Sequence, residues 1–330
     1  MRRSVFSGCL AFALAQGSAL ALEVEPYIVN GSQATINEYP YMANLIYDRR
    51  DDLRFYGNYC GATILDEWHV LTAAHCLTDK TYNDHTTVVL QMEKDSDFYR
   101  AQKIPAEKFY WRDDYRDGSA SLWANDIAII KLEYAIQGIS SNNFVRLPAS
   151  GDAANYRTSN ASFVALGHGN TSNGRDNSSQ LLQVNLSYVS SATCSTFGRI
   201  NASHLCTSGD YSAITGLRGG ICQGDSGGPL VWFDGNVYRQ IGIASFGPST
   251  CGNSGSSAQG VFTEVLDYVD WIGNVIAGNV PAQYTVGGEL PTIVSTPMGD
   301  SSSAGAISWL SLLAVFFAAH RRQKKGALPR

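Results

Sequence analysis

The sequence predicts an all-β protein of barrel architecture that ends in one helix. Many short apolar or β-branched runs are separated by turns rich in Gly, Asn and Asp, which is typical of antiparallel barrels. The stretch Phe262–Ile276 repeats apolar residues at spacings of three and four, which predicts a helix with one buried face. The predicted strands are Met42–Tyr47, Cys60–Leu65, Trp68–Leu71, Thr86–Gln91, Ile127–Leu132, Ser162–Leu166, Gln183–Val189, Pro229–Phe233 and Val237–Ile243.

The chain begins with a predicted secretory signal peptide over residues 1–21. Arg2 and Arg3 precede an apolar run over Val5–Leu14, and small residues lead to Ala21, after which we expect cleavage. The apolar run is too short to span a bilayer, which argues against a membrane anchor at this end. We therefore expect a secreted or cell-surface protein.

Cysteine usage fits export. Cys9 leaves with the signal peptide, and six cysteines remain, which in an oxidising compartment imply three disulfides with fifteen possible pairings. No two of them are spaced as C-x-x-C, so the sequence predicts neither a metal site nor a cofactor. The six are Cys60, Cys76, Cys194, Cys206, Cys222 and Cys251.

Two candidate catalytic residues lie at the ends of predicted strands. The strand Trp68–Leu71 runs into Thr-Ala-Ala-His75-Cys, where small residues allow close packing. Asp126 stands at the head of the apolar strand Ile127–Leu132, and a buried carboxylate needs a hydrogen-bond donor. The imidazole of His75 is the expected donor, although a lone histidine is more often an ordinary surface or core residue.

A glycine-rich loop precedes the predicted strand Pro229–Phe233. Its sequence, GGICQGDSGGPL over residues 219–230, places Ser226 between an aspartate and paired glycines. Such a loop can present a hydroxyl to a substrate, but a surface turn is the alternative, because short glycine motifs recur by chance. Catalysis would require a base and a carboxylate that orients the base.

The C-terminal part has a different composition. Residues 279–305 are rich in Gly, Pro, Ser and Thr, which predicts a linker. The apolar run Ala306–Ala319 would cover about 21 Å as a helix, short of the roughly 30 Å hydrocarbon core. A basic cluster follows it, and we expect transient or permanent membrane contact through 306–319.

The charge balance excludes one class of partner. Without residues 1–21 and 306–330 the chain carries 17 basic and 29 acidic residues, a net charge of −12. A body with this charge is repelled by phosphate backbones, so nucleic-acid binding is not expected.

Three motifs together resemble the trypsin/chymotrypsin family. TAAHC around His75, NDIAIIKL around Asp126 and GDSGGPL around Ser226 occur in the order His, Asp, Ser, which differs from subtilisins and α/β-hydrolases. The likeness covers Ile28 to about Ala277. It implies two six-stranded antiparallel β-barrels of the chymotrypsin type with a C-terminal helix, and a monomeric serine endopeptidase acting on proteins or peptides and subject to protein inhibitors.

The resemblance also implies roles for individual residues. Ser226 would be the nucleophile, His75 the general base and Asp126 the group that fixes the imidazole. The backbone N–H groups of Gly224 and Ser226 would form the oxyanion hole, and Ser245 would support the aspartate.

Activation by cleavage follows from the same resemblance. A cut between Tyr27 and Ile28 would free an α-amino group that pairs with Asp225, so the uncut chain would be a zymogen with a short propeptide over 22–27. The family usually has Arg or Lys before the cut. Tyr27 instead implies activation by a protease of chymotrypsin-like specificity, and self-activation would be one such case.

The implied specificity pocket carries no carboxylate. Gly220 takes the position at the pocket floor where trypsin-like members have an aspartate. An apolar guest is therefore favoured over a cation, and we expect cleavage after Tyr, Phe, Leu or Met. Trypsin-like specificity after Arg or Lys is the alternative. The implied pocket positions are Gly220, Ile221, Ser245, Phe246, Gly247 and Gly260.

Resemblance to known sequences also implies a disulfide pairing and a type of C-terminal signal. The resemblance pairs Cys60 with Cys76, Cys194 with Cys206, and Cys222 with Cys251. The segment 306–330 resembles a bacterial GlyGly-type sorting signal, with a GPI signal or a plain tail anchor as alternatives. A non-catalytic surface binding protein or a tethered adhesion protein built on this fold is the competing function.

Overall fold

A computed structural model describes residues 28–172, 179–198 and 200–291. The predicted signal peptide, the propeptide with Tyr27 and the segment 292–330, which includes the apolar run and the basic tail, lie outside these residues. Within the described part of the chain, no helix is both long enough and apolar enough to cross a membrane.

The described chain forms two closed antiparallel barrels of six strands each, which confirms the predicted fold class. Strands β2–β7 form the N-terminal barrel, which is closed by the pairing of β6 with β7. Strands β8–β13 form the C-terminal barrel, which is closed by β8 and β9. The strands are β1 Ser32–Gln33, β2 Met42–Arg49, β3 Phe55–Ile64, β4 His69–Thr72, β5 Thr86–Leu90, β6 Lys103–Trp111, β7 Ala128–Leu132, β8 Ser162–Gly167, β9 Leu182–Val189, β10 His204–Ser208, β11 Pro229–Phe233, β12 Tyr238–Phe246, β13 Gly260–Glu264 and β14 Tyr284–Thr285.

Each barrel also carries a short strand from the opposite end of the chain. Near the N-terminus, β1 pairs with β9 of the C-terminal barrel. Near the C-terminus, β14 pairs with β6 of the N-terminal barrel. The barrels are therefore tied together at both ends of the described chain.

The described residues also form three short α-helices: α1 Lys80–Asn83, α2 Ala153–Tyr156 and α3 Val269–Ile276. Helix α3 follows a 3₁₀ turn, Val265–Tyr268, and together they bury Val265, Tyr268, Ile272 and Val275 in the core of the N-terminal barrel. The closing helix thus packs on the first barrel although it follows the second in sequence.

The predicted helix over Phe262–Ile276 is too long at its N-terminal end. Residues 262–264 belong to β13, where Phe262 is fully buried and pairs with Leu205 and Ala244. At the other end Ile276 is 40% exposed, and Val275 takes the buried position instead. A short apolar run is compatible with either a strand or a helix, and here the pairing with neighbouring barrel strands makes it a strand.

Besides β13 and the short strands β1 and β14, two barrel strands were not predicted, β6 and β10. β6 contains Pro105 and three charged residues, features that are depleted in strand interiors. It is nevertheless paired on both sides, with β5 and β7, because register shifts near Ala106 accommodate its irregular part. β10 begins with a histidine and ends with three small residues, and its pairing with β9 and β13 determines its structure.

The predicted linker begins too early. Its described part, residues 279–291, packs on the N-terminal barrel, and we call it the C-terminal strap. Tyr284 is 2% exposed and its ring lies 5.7 Å from that of Phe109, centroid to centroid. Val280, Ala282 and Leu290 pack against the same core. One buried aromatic and a few hydrogen bonds fix this segment, and neither leaves a periodic pattern in the sequence.

Candidate active site

His75 lies on a 3₁₀ turn, Ala74–Leu77, directly after β4. Its neighbours Ala73 and Ala74 are buried, and small side chains allow this turn to sit against the barrel. The disulfide between Cys60 and Cys76 ties the turn to β3. The imidazole is therefore presented from a turn that is fixed at both sides.

Asp126 receives three hydrogen bonds at a fully buried carboxylate. The Nδ1 atom of His75 lies 2.8 Å from Oδ2, and the backbone N–H of His75 donates to Oδ1 over 2.8 Å. The hydroxyl of Ser245 donates to Oδ2. The contact holds the imidazole in the tautomer protonated at Nδ1. Nε2 then carries no proton, and it lies 3.8 Å from Cys76 Sγ.

The two charges shift each other's pKa. Burial alone would raise the pKa of Asp126, but the His75 imidazole and the donors from His75 and Ser245 outweigh it and lower that pKa. Burial alone would lower the pKa of His75, but Asp126 outweighs it and raises that pKa. The pair is thus arranged to stabilise an imidazolium next to a carboxylate.

The loop with Ser226 lies between the two barrels and is hydrogen-bonded to both. The backbone N–H of Gly61 in β3 donates to the carbonyl oxygen of Ser226 over 2.7 Å, and Gly227 donates to Ala244 O over 2.9 Å. Gly227 has φ +76°, and a methyl group there would overlap Thr72 Oγ1 and Gly61 O. Only glycine fits this approach, which brings Ser226 to the chain that leads into His75.

Gly224 is also in a conformation that favours glycine. Its φ is +98°, and a Cβ atom would lie 2.9 Å from Gly169 Cα in the segment after β8. The loop can therefore approach the C-terminal barrel closely at this residue.

Asp225 is a fully buried carboxylate held by two backbone amides. Cys222 donates to Oδ2 over 2.8 Å, and Gly169 donates to Oδ1 over 2.9 Å. Burial raises the pKa of Asp225 to about 7 despite these two donors. A nearby cation would stabilise a carboxylate that is buried in this way.

The Ile28–Val29 pair lies inside the C-terminal barrel region. Both side chains are fully buried, and Val29 O accepts a hydrogen bond from Gly220 N over 3.3 Å. Ile28 has φ +24°, which is unfavourable for a β-branched residue. The start of the described chain is therefore both buried and strained.

The predicted pocket residues surround a side chain that was not predicted. Gln259 is fully buried, and its Cβ lies 2.6 Å from the point that a Cβ of Gly220 would occupy. Its Nε2 donates to Asn253 O and Ser256 O. A Cβ at Gly260 would lie 2.9 Å from Ile221 Cγ1, so Ile221 occupies the space beside that wall. None of the four pocket positions named here carries a charge.

Phe246 belongs to an aromatic cluster that was also not predicted. Its ring stacks on Trp123 with centroids 5.3 Å apart, and it meets Phe197 and His204 edge to face. Trp123 has φ +47° and lies three residues before Asp126. The cluster joins the segment before Asp126 to the wall of the predicted pocket.

Three disulfides are present in the described chain. They join Cys60 to Cys76, Cys194 to Cys206, and Cys222 to Cys251, the same pairs that the resemblance implies. The sulfur atoms near His75 are thus bonded to each other and are not free thiolate ligands for a metal. The bond between Cys222 and Cys251 links the Ser226 loop to the segment after β12.

Comparison with known proteins assigns the family. The family model described as Trypsin matches residues 28–272. The CLIP domain-containing serine protease B4 of Anopheles gambiae is 31% identical over 79% of this chain and 73% of its own length. Human chymotrypsin-like elastase family member 1 is 31% identical over 78% of this chain and 95% of its own. Snake venom serine protease KN3 of Trimeresurus stejnegeri is 30% identical over 77% and 89%. The chain therefore belongs to the trypsin family of serine endopeptidases.

Proposed function

We propose that this endopeptidase is secreted and works through a triad of Ser226, His75 and Asp126. The observation that carries the proposal is the buried Asp126 carboxylate, which binds both the ring and the backbone N–H of His75. Ser226 lies on a loop packed against the chain before His75. Motif order, burial and packing thus all support the same three residues.

The proposed reaction forms and breaks an acyl-enzyme. Ser226 Oγ attacks the scissile carbonyl carbon while His75 Nε2 takes the hydroxyl proton, and the carbonyl electron pair moves to its oxygen. Collapse of this tetrahedral species breaks the C–N bond, and His75 returns the proton to the leaving amine. Water then repeats the sequence at the acyl carbon, which releases the acid and restores Ser226.

Oxyanion stabilisation is proposed for the backbone N–H groups of Gly224 and Ser226. The positive φ of Gly224 and its contact with Gly169 fix the loop at this point. Removing one such donor typically costs about 10²–10³-fold in kcat.

The pH profile tests the role of His75. A general base must be neutral, and Asp126 raises the pKa of His75, so kcat/KM should fall as the pH drops through a value above the ordinary imidazole pKa of about 6.5. The measurement is kcat/KM for a peptide ester between pH 5 and 9. The control is His69→Gln, which changes a histidine paired with Asp66 and should leave the fall of kcat/KM at low pH unchanged. A flat profile from pH 5 to 8 would rule His75 out.

We propose further that the uncut chain is a zymogen activated between Tyr27 and Ile28. The positive φ of Ile28 involves the carbonyl carbon of residue 27, so a cut before Ile28 would relieve the strain. The new α-ammonium group would supply the cation that the buried Asp225 carboxylate needs. The strain at Ile28 and a buried carboxylate that has only backbone N–H donors within the described residues therefore both favour the cleaved form.

For specificity we propose large apolar or aromatic residues before the scissile bond. Gly220, Ile221, Gly260 and the buried Gln259 bring no charge to the pocket, and a buried cation without a counter-ion is costly. Cleavage after Arg or Lys remains the second candidate. It would require a carboxylate from outside these four positions.

Peptides that differ only in the residue before the scissile bond test the pocket. We expect kcat/KM to be at least about tenfold higher for Phe, Tyr, Leu or Met than for Arg, because each methylene group that fits a hydrophobic pocket is worth roughly 1–3 kcal/mol. An Ala peptide provides the baseline for an unfilled pocket. Faster cleavage after Arg than after Phe would overturn the assignment.

The wider organisation is proposed from the sequence together with this site. The signal peptide 1–21 and the propeptide 22–27 would be removed, and the protease domain begins at Ile28. The sequence alone favours an end of that domain at residue 278; we extend the domain to include the C-terminal strap, because the strap packs on the barrel. Residues 306–330 would act as a sorting signal or an anchor. The enzyme would act as a monomer on proteins or peptides and meet protein inhibitors.

A further inference from the structure

We propose that the C-terminal strap positions the His75–Asp126 pair, with Tyr284 and Gln283 as its positioning residues. The inference rests on the proposed triad and adds to it a segment that lies beyond the matched family region, which ends at residue 272. Two chains of contacts carry it, one toward each member of the pair.

The first chain begins where the strap meets helix α1. The hydroxyl of Tyr284 donates to Asp84, and Gly287 N donates to Asp84 Oδ1 over 2.8 Å. Lys80 Nζ donates to Tyr284 Oη over 3.0 Å and to Gly288 O over 2.5 Å. Lys80 also pairs with Asp84 across the helix over 2.9 Å. Both ends of this one-turn helix are thus bound to the strap.

Helix α1 in turn holds the turn that carries His75. Asn83, the last residue of the helix, is fully buried, and its Nδ2 donates to Leu77 O over 2.9 Å. Leu77 ends the 3₁₀ turn that contains His75, and Thr78 Oγ1 donates to His75 O over 3.2 Å. A displacement of α1 would therefore reach the backbone of His75 through two hydrogen bonds.

The second chain leads toward Asp126. Gln283 N donates to Phe109 O over 3.0 Å, and Trp111 N donates to Gln283 Oε1 over 2.9 Å. Trp111 is the last residue of β6 and pairs with Ala128 of β7. Ala128 lies two residues after Asp126. The side chain of Gln283 thus holds the end of the strand that flanks the Asp126 segment.

The strap consequently braces both halves of the pair from one side. Of these adjacent residues, Gln283 contacts the end of β6, whose partner strand β7 follows Asp126, and Tyr284 contacts the helix after His75. Catalytic groups must be held to within about 0.5 Å, and a displacement near 1 Å can cost about 10²-fold in rate. Loss of one brace should therefore change the geometry of the pair more than the binding of substrate.

Tyr284 allows this role to be separated from packing. Its ring is part of the barrel core, whereas its hydroxyl lies in the network of Asp84 and Lys80. Tyr284→Phe keeps the buried ring and removes the network contact. Thr285→Ala is the matched control, because Thr285 is the exposed neighbour in the same strand.

The test uses the full chain after activation, with active sites counted by titration with a fluorophosphonate. We expect Tyr284→Phe to lower kcat per titrated site about three- to tenfold with KM unchanged. The fall of kcat/KM at low pH, its acid limb, should move to lower pH. The contact between His75 and Asp126 would be looser in the variant, so the pKa of His75 would be lower than in the parent. Thr285→Ala should stay within twofold of the parent. Gln283→Ala should have the same effect as Tyr284→Phe. It is the second variant, to be used if the Tyr284→Phe protein does not fold.

Failure of the strap inference and failure of the proposed triad would give different results. If Tyr284→Phe and Gln283→Ala lower only the melting temperature and leave kcat and the acid limb unchanged, the strap is structural and the inference is wrong. If the parent enzyme takes up no fluorophosphonate, the proposed triad itself fails. The two failures are thus read from different measurements.

Discussion

Ser226→Ala is expected to lower kcat of the cleaved enzyme about 10⁶-fold. The substitution removes Ser226 Oγ, the proposed nucleophile. The residual turnover, about 10³–10⁴-fold above the reaction in water, would come from binding and oxyanion stabilisation alone. The measurement is turnover of a peptide substrate by the purified, cleaved chain.

The control for this variant is a serine outside the site. Ser187 is exposed on β9, and Ser187→Ala should retain full activity. Peptide binding by Ser226→Ala should remain, because the pocket is unchanged. Turnover by Ser226→Ala within about 100-fold of the parent would mean that another group is the nucleophile.

Asp225→Asn is expected to abolish most of the activity gained by cleavage at Ile28. The proposed ion pair between the new terminus and Asp225 is buried, and removing one partner of a buried pair typically costs 3–5 kcal/mol. The ordered active conformation should therefore be depleted about 10²- to several-thousand-fold. Measurement of kcat/KM before and after cleavage tests this, and an equal gain on cleavage in both proteins would contradict it.

In the uncut chain, Asp225→Asn should change the pH dependence of the free energy of unfolding. Burial raises the pKa of Asp225 to about 7, so between about pH 4 and 7 the folded chain keeps a proton that the unfolded chain releases. The free energy of unfolding should therefore fall as the pH rises through this window, by at most about 4 kcal/mol. Asparagine does not titrate, so this fall should be absent from Asp225→Asn. Denaturant titrations of both uncut chains at several pH values measure it, and equal slopes would mean that Asp225 is solvated before cleavage.

Much of the candidate site could be predicted from sequence because its constraints are local. The loop around Ser226 requires glycine at 224 and 227 for reasons of φ and close approach, so the motif itself encodes the geometry. His75 and Asp126 likewise lie in short segments whose neighbours are small or apolar. The pattern of short strands predicted a barrel architecture, and the division into two six-stranded barrels followed from the family resemblance.

The missed features depend on contacts between distant segments. Gln259 enters the pocket wall only because β13 runs beside Gly220, and Trp123 meets Phe246 across 123 residues of chain. The strap is held by one buried tyrosine and by hydrogen bonds to residues near 80 and 110. Nothing in a Gly- and Pro-rich segment signals such partners, since composition carries no information on tertiary pairing.

The most direct test of the proposed triad is to locate a fluorophosphonate adduct by mass spectrometry in the cleaved and the uncut chain. We predict one adduct, on the peptide that contains Ser226, formed rapidly after the terminus at Ile28 appears and slowly before. His75→Ala should prevent it in both forms. An adduct on another residue, or rapid labelling of Ser226 in the His75→Ala variant, would contradict the assignment of Ser226 and His75 as nucleophile and base.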